Sequence, residues 1–461
     1  MTAALVCLAL FAADAPLRVG SAVVNIDPET TPVPVDGYFT ARFESEVIDE
    51  LCARALVVES ADGGRAALCV VDSCGVGRET LDAAKRRAEA ATGIAAGRML
   101  VSCTHTHTAP AALAAFATPL AEDYLPQLER QIAEAITAAD GRLRPAEVGH
   151  ATARATEWAY CRRWLMRPGT ATTIPFTGRS ENLAQMNPGH RNADRVGQTG
   201  PVDLTVTVLA FRDPQTKRPL ALLGNFNTHY AGSEKMSSDY FGVFCREVGG
   251  RIGAGGEFVA LMSNGNSGDA NCIDFSRPAP RDFDMHDVAG HVMDRAADAY
   301  RRIEWRAEAP LRVATRDLTV AARTPSADEA AAAEKAMAGW GGRLPQSMAE
   351  AYVYETALMA DAPAERTLPL MAWRLGDFAA AAFPNEVYAS TGLTLKARSP
   401  VATTCVVGWA NGYFGYLPPP DQFALGGYTT WRARSSCLEE GAEPKVVAAV
   451  MGLLDEVAGD Q

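Results

Sequence analysis

Three histidines follow apolar runs of the type that form buried strands. His105 and His107 come directly after Met99–Cys103, and His229 comes shortly after a second run that ends at Phe226. Residues two apart in an extended segment point to the same side, so His105 and His107 should face one space. The carboxyl ends of neighbouring parallel strands meet in one crevice, which predicts that His229 joins them. Imidazole suits both metal binding and proton transfer, so this pair predicts either two metal ligands or one ligand beside an acid-base group.

A segment rich in small and amide residues, Ser263–Asn271, follows another apolar run. Residues of this kind let the backbone approach a ligand and offer hydrogen-bond donors to an oxyanion. Asp269 in this segment would orient a histidine by a hydrogen bond to its ring. The alternative interpretation of the segment is an ordinary turn. His286 and His291 stand near the first turn of a predicted helix and are interpreted as structural.

These segments and several others resemble the neutral/alkaline, non-lysosomal ceramidases and their shorter bacterial relatives. The resembling segments are spread over nearly the whole chain: Asp36-Gly37-Tyr38, Ala53-Arg54-Ala55, Thr104–Pro110, Asn227-Thr228-His229, Ser237–Tyr240, Gly268-Asp269, Phe383–Glu386 and Asn411–Tyr416. The resemblance implies the catalytic-domain fold of that family and a zinc-dependent hydrolase that cleaves an amide (N-acyl) bond.

Carried onto this sequence, the resemblance implies zinc ligation by His105, His229, Glu386 and Tyr416. Two imidazoles and a carboxylate suit zinc, whereas a tyrosine oxygen needs the charge of the metal to lower its pKa from about 10. His107 then becomes a residue that stabilises the developing oxyanion or relays a proton. At His107 this interpretation differs from the one based on the residues alone, which favours His105 and His107 together as ligands.

The resemblance also implies three further catalytic positions. Arg162 matches an Asn-Arg segment of the family, and Tyr428 lies as far beyond Tyr416 as a pocket tyrosine does there. Asn271 stands, followed by Cys272, where the family's turn carries a serine, so that hydroxyl is missing here. This departure makes a sphingolipid substrate an open question.

The elements that must position these residues alternate along the chain. The predicted strands are Leu17–Ile26, Ala53–Val58, Ala66–Asp72, Arg98–Cys103, Leu204–Phe211, Leu220–Phe226, Phe258–Met262, Leu368–Leu375, Phe378–Phe383 and Thr403–Trp409. The predicted helices are Glu79–Thr92, Leu120–Ala139, Phe241–Ile252, His286–Ile303, Ala327–Trp340, Gln346–Met359, Glu386–Lys396 and Lys445–Val457. This alternation predicts an α/β fold: a multilayer single domain with a largely parallel or mixed sheet flanked by helices. Residues 165–200 are predicted to be a long loop that covers the site.

Charge and the amino terminus limit the partners and the compartment. A formal net charge of -12, without a basic stripe, argues against a nucleic-acid partner. Residues 1–14 resemble a short secretory signal, which predicts a hydrolase domain at 15–461 that is exported to the periplasm or outside the cell, with the cytoplasm as the alternative. No other segment is apolar enough to cross a membrane.

The sequence therefore predicts a zinc hydrolase that acts on a small-molecule or lipid-like N-acyl substrate. Two alternatives stay open. The first keeps the metal but cleaves another bond, as an esterase, a lactonase or a hydrolase of a sugar-linked group would. The second is a binding protein of the same fold that has lost turnover.

Overall fold

Three β-sheets form the framework of the chain in the computed structural model, which describes residues 16–175, 178 and 181–459. The predicted signal segment at 1–14 lies outside these residues. The strands, in chain order, are β1 Arg18–Asn25, β2 Val33–Val35, β3 Arg42–Glu44, β4 Cys52–Glu59, β5 Arg65–Val71, β6 Met99–Cys103, β7 Arg144–Pro145, β8 Glu147–Arg154, β9 Tyr160–Cys161, β10 Arg163–Met166, β11 Ala184–Met186, β12 Arg195–Gln198, β13 Thr205–Arg212, β14 Pro219–Phe226, β15 Val259–Asn264, β16 Ala270–Asn271, β17 Leu311–Ala321, β18 Glu365–Leu375, β19 Phe378–Ala382, β20 Glu386–Val387, β21 Thr403–Val407 and β22 Tyr416–Leu417.

The helices lie mostly where apolar residues recur at helical spacing. In chain order they are α1 Arg78–Thr92, α2 Tyr124–Asp140, α3 Asp239–Ile252, α4 Met285–Tyr300, α5 Ala327–Ala338, α6 Met348–Leu358, α7 Ala389–Arg398, α8 Pro420–Phe423 and α9 Ala442–Ala458. Within the described part of the chain, no helix is both long enough and apolar enough to cross a membrane.

Each of the three sheets contains one parallel pair of strands. The first sheet has the order β6-β5-β4-β1-β7, the second β15-β14-β13-β8 and the third β17-β18-β19-β21. The parallel pairs are β5–β6, β14–β15 and β19–β21, and a helix crosses over within each pair: α1, α3 and α7 respectively. The other pairs in these sheets are antiparallel. The sheets are thus mixed, which is one of the two expected sheet types, and they are not largely parallel because short turns join antiparallel strands such as β4 and β5.

One hydrophobic cluster draws residues from all three sheets. Leu68 of the first sheet, Leu209 of the second and Trp373 of the third belong to it, and all three are buried. Separate clusters join α1 and α2 to the first sheet, α3 and α4 to the second, and α9 to the third. Each of these five helices therefore buries an apolar face against one sheet, as helices in α/β proteins do.

Two predicted elements differ from the structure near the positions of interest. Residues 165–200 are not a plain loop, because β10, β11 and β12 form a three-stranded sheet there. The helix predicted from Glu386 begins only at Ala389, since Glu386 and Val387 form β20. Glu386 is therefore held by strand pairing with β22 rather than by helical hydrogen bonds.

Candidate metal centre

The carboxyl ends of the three parallel pairs converge on one place. His105 follows β6, His229 follows β14 and Glu386 follows β19. Two backbone hydrogen bonds cross between sheets here, Cys103 N–H to Trp409 O (3.2 Å) and Gly408 N–H to Asn264 O (3.1 Å). A third, Gly265 N–H to Phe226 O (2.9 Å), joins the ends of β15 and β14 within the second sheet. The two histidines thus come from strands of different sheets, not from neighbouring strands of one sheet as the sequence suggested.

Backbone carbonyls orient the two buried imidazoles. His105 Nδ1 lies 2.6 Å from the Cys74 carbonyl oxygen, and His229 Nδ1 lies 2.8 Å from that of Ser267. A carbonyl can only accept, so each Nδ1 carries the hydrogen and each Nε2 keeps its lone pair. Burial lowers the pKa of His105 to about 3, and burial together with the Arg162 charge holds the pKa of His229 well below its usual range. Both rings are therefore neutral at pH 7, the form that binds a metal.

The Glu386 carboxylate faces both of these lone pairs. Its Oε2 lies 3.8 Å from His105 Nε2 and 3.4 Å from His229 Nε2, while its Oε1 accepts the Tyr413 hydroxyl at 2.8 Å. Among the described residues Oε2 has no hydrogen-bond partner, although it is buried. The Arg162 guanidinium lies 3.9 Å from Oε2, too far to donate a hydrogen bond to it, so a metal cation in contact with this oxygen and both Nε2 atoms would stabilise the group. The ligand atoms of His105, His229 and Glu386 lie within 4.8 Å of one another, so the donor set fits a divalent cation such as zinc.

Tyr416 and Arg162 lie beside this group. The parallel pairing of β20 and β22 puts Tyr416 opposite Glu386. Arg162 Nη2 donates to His229 Nε2 (2.9 Å), to the Gly268 carbonyl (2.9 Å) and to the Tyr416 hydroxyl (3.2 Å). Burial and the nearby Glu386 carboxylate raise the pKa of Tyr416 well above its usual value, so the phenol is neutral in this arrangement. The guanidinium of Arg162 thus places a positive charge next to the predicted ligands.

His107 lies at the edge of the group, beside His105. Their Nε2 atoms are 3.0 Å apart, and since His105 Nε2 holds a lone pair, His107 donates. The Tyr230 ring stacks on His107 with centroids 3.8 Å apart. On another side stands Gly37, with φ +103°, where an added Cβ would come within 2.3 Å of His107 Nδ1. His107 also forms a second close group of potential ligands, with His105 and Cys74.

A cavity of about 250 Å³ opens beside these side chains. Its lining combines the candidate residues with aromatic and small ones: Gly37, Tyr38, Phe39, Cys74, His105, His107, Leu113, Ala115, Phe116, Arg162, Asn187, Tyr230, Glu386, Tyr413, Tyr416, Tyr428 and Ser435. Tyr428 therefore shares the cavity lining with His105, Glu386 and Tyr416, whereas His229 is not part of that lining. The Tyr428 ring centroid lies 6.0 Å from that of Tyr416.

Two residues from the Ser263–Asn271 segment take other positions than expected. Asn271 is not part of the cavity lining. Its amide donates to the side chain of Asn187 (3.1 Å), and Asn187 does line the cavity. Among the described residues, no hydrogen bond or ion pair joins Asp269 to a histidine. Its carboxylate accepts the Ala389 N–H (2.8 Å) at the start of α7, and the Ser267 carbonyl orients His229 instead.

Sequence reasoning missed several residues that shape the centre. Trp409 stacks on His105 with centroids 4.2 Å apart, Tyr413 holds Glu386, and Tyr230 stacks on His107. Cys74 lies with its sulfur 3.5 Å from His105 Nδ1. The available signal was position: Cys74 follows β5 and Trp409 follows β21, at the strand ends where the histidines were sought.

Solved structures with a similar fold can now be compared. The chain superposes over 97% of its length on the crystal structure of neutral ceramidase from Pseudomonas aeruginosa, with a TM-score of 0.71, 18% sequence identity and 74% of that chain covered. The chain has the neutral ceramidase fold. A second structure, of a ceramidase complexed with C2, gives a TM-score of 0.70 at 17% identity, covering 96% of this chain and 75% of that one. The resemblance to neutral ceramidases is confirmed at the level of the fold. No family model and no curated protein matches the sequence.

Proposed function

We propose that the protein is a zinc-dependent hydrolase that cleaves an amide (N-acyl) bond. The observation that carries this proposal is the buried Oε2 of Glu386, which accepts no hydrogen bond from the described residues and faces Nε2 of His105 and of His229, with the Arg162 guanidinium 3.9 Å away. The neutral ceramidase fold supports it. His105, His229, Glu386 and Tyr416 would hold the ion, because a mixed set of nitrogen and oxygen donors suits zinc.

When bound, the ion supplies Lewis-acid polarisation of a carbonyl and makes water a stronger nucleophile near neutral pH. The remaining chemistry belongs to side chains of the cavity. The buried guanidinium of Arg162 and the hydroxyl of Tyr428 would stabilise negative charge that develops on the carbonyl oxygen. His107, whose Nε2 donates inward, would hold the proton that the departing amine needs. Asn271 would act indirectly, by positioning Asn187 at the cavity wall.

Metal analysis combined with a substrate screen tests the proposal. Purified protein should contain about one zinc ion per chain and should hydrolyse N-acyl amides. His229→Ala should lose both properties with an unchanged circular dichroism spectrum. His150→Ala is the matched control, because His150 is a partly buried histidine on β8 outside the cavity lining, and it should keep both.

The screen should include esters, lactones and sugar-linked acyl groups. Wild-type protein that takes up no zinc on reconstitution would contradict the whole proposal. Zinc binding with cleavage of only these other bonds would replace the amidase by a related hydrolase. Zinc binding without any turnover would favour a binding protein of the same fold.

We also infer that residues 15–461 form one multilayer domain. The support is the hydrophobic cluster that includes residues of all three sheets. Limited proteolysis should then leave no stable fragment that contains a single sheet, and unfolding in denaturant should be one cooperative transition.

A further inference from the structure

Two phenylalanines line the cavity beside the candidate metal centre. Phe39 and Phe116, which we call the aromatic wall, pack edge to face with ring centroids 4.7 Å apart. Phe39 also meets the Tyr428 ring edge to face at 5.6 Å. Aromatic pairs in this geometry stabilise each other beyond the area that they bury. The wall is therefore a packed apolar surface next to the residues proposed to act on the acyl bond.

Tyr352 on α6 supports the aromatic wall from behind. Its ring lies 6.2 Å from Phe39 and 5.7 Å from Phe116, and it is 1% exposed. Trp431, also buried, packs against Tyr352 at 5.4 Å. Because close-packed interiors resist the insertion of extra volume, a ligand cannot push the wall outward without disturbing this second row of rings.

The backbone of Phe116 is held as firmly as its ring. Phe116 has φ +51°, in the left-handed region that side-chain-bearing residues seldom adopt. Arg434 Nη2 donates to its carbonyl oxygen at 3.0 Å. The same guanidinium binds the fully buried Glu355 carboxylate at 2.6 and 3.1 Å. A partly buried ion pair thus holds the backbone of Phe116 in the wall.

The size of the cavity limits what fits against the wall. Its volume of about 250 Å³ lies below the range of about 300–1,000 Å³ that is usual for pockets that enclose drug-sized ligands. Each methylene group that enters an apolar site adds about fourfold to affinity, and a methylene group left outside adds nothing. The benefit of a longer acyl chain should therefore end after a few carbons.

From these contacts we propose that the protein acts on amides of short or aromatic acyl groups rather than of long fatty acids, and that Phe39 and Phe116 set this limit. The proposal rests on the hydrolase function proposed above. A flat phenyl ring matches the aromatic lining, whereas a long chain would need space that the wall and its supporting rings occupy.

A series of p-nitroanilides with hexanoyl, phenylacetyl and dodecanoyl groups tests the limit. For wild type, kcat/KM for the dodecanoyl compound should not exceed that for the hexanoyl compound, since its distal carbons gain no contact. Phe39→Ala should raise the ratio of dodecanoyl to phenylacetyl hydrolysis at least about tenfold. Phe43→Ala is the control, because Phe43 is 54% exposed on β3 and outside the lining, and its profile should match wild type. A wild type that prefers the dodecanoyl compound, or a folded Phe39→Ala with an unchanged profile, would overturn the proposal.

Binding of the product acids separates this proposal from the hydrolase function. If no amide is cleaved, the hydrolase fails, but calorimetry with hexanoate, phenylacetate and dodecanoate still reports on the cavity. Wild type should then bind phenylacetate more tightly than dodecanoate, and Phe39→Ala should narrow or reverse that difference. Tighter binding of dodecanoate by wild type would reject the aromatic limit, whatever the catalytic result.

Discussion

His107 owes its position largely to packing. Tyr230 stacks on one face of its ring, and Gly37 approaches from another direction. Its Nδ1 is buried without a hydrogen-bond partner among the described residues, so this packing and the hydrogen bond from Nε2 to His105 together hold the ring. A side chain held by close packing is displaced when a neighbouring residue gains a single carbon atom.

Gly37→Ala should therefore reduce hydrolysis without removing the metal. The new Cβ would overlap the imidazole of His107, and alanine at φ +103° is strained. Loss of a positioned acid-base group typically lowers kcat by about 10²- to 10⁴-fold. Zinc content and kcat measured on the same preparation check this. Gly63→Ala is the control, because Gly63 also has positive φ, at +80°, but open space around it. Equal losses in both variants would indicate backbone strain alone.

At the scale of elements, helix α1 supports the segment that carries Tyr413 and Tyr416. Lys85 on α1 is 5% exposed, and its ammonium donates to the Asn411 side-chain oxygen at 2.5 Å. That oxygen also accepts the Val101 N–H of β6 at 3.1 Å. Burial lowers the pKa of Lys85 to about 8, with Asp82 opposing this shift and Arg78 adding to it. A crossover helix, a strand and a loop thus meet at one amide.

The pKa of Lys85 predicts how stability changes with pH. Between about 8 and the ordinary value of 10.5, unfolded chains bind more protons than folded ones, so the free energy of unfolding rises with pH over this window. Relative to Lys85→Met, wild type should gain roughly 2 kcal/mol between about pH 7.5 and 9.5. Denaturant unfolding at both values measures the gain. The exposed Lys335 on α5 provides the control variant Lys335→Met, which should show no such trend. A constant difference between wild type and Lys85→Met would contradict the expectation.

The sequence predicted the elements with strong apolar periodicity and missed those without it. β6, β14 and β15 are buried along their length, so their apolar runs located His105 and His229. β17 was missed because it is an edge strand with most residues polar or exposed. Strands of only two residues, such as β20 and β22, are too short to show an alternation of apolar and polar residues. Glu386 and Tyr416 were therefore predicted only through the family resemblance. Which carbonyl orients His229 depends on contacts between distant loops, and no local pattern encodes that.

For the molecule as a whole, Asn264 connects the ends of two sheets. Its amide donates to the Thr104 carbonyl at 3.1 Å, and its oxygen accepts the Ser267 hydroxyl at 2.9 Å. Thr104 precedes His105, and the carbonyl of Ser267 orients His229. One fully buried amide therefore bridges the two segments that carry the imidazoles.

Asn264→Ala should weaken both the fold and zinc binding. It leaves the buried Thr104 carbonyl unpaired, which costs about 1–3 kcal/mol. Leu261→Ala on the same strand is the control, because it should cost a similar or larger amount, about 2–5 kcal/mol, with zinc affinity unchanged. Denaturant unfolding and calorimetric titration with zinc measure both quantities. Equal zinc affinities in the two variants would show that Asn264 does not set the spacing.

Because the centre gathers segments from Cys74 to Tyr416, an ion bound there would act as a cross-link between parts of the chain that are remote in sequence. A cross-link that closes such long loops has a large effect on the conformational entropy of the unfolded chain. Chelation should then raise amide hydrogen exchange at the carboxyl ends of β6, β14 and β19 together, although no covalent bond connects them. The ion would thus hold together the junction of the three sheets as well as take part in the reaction.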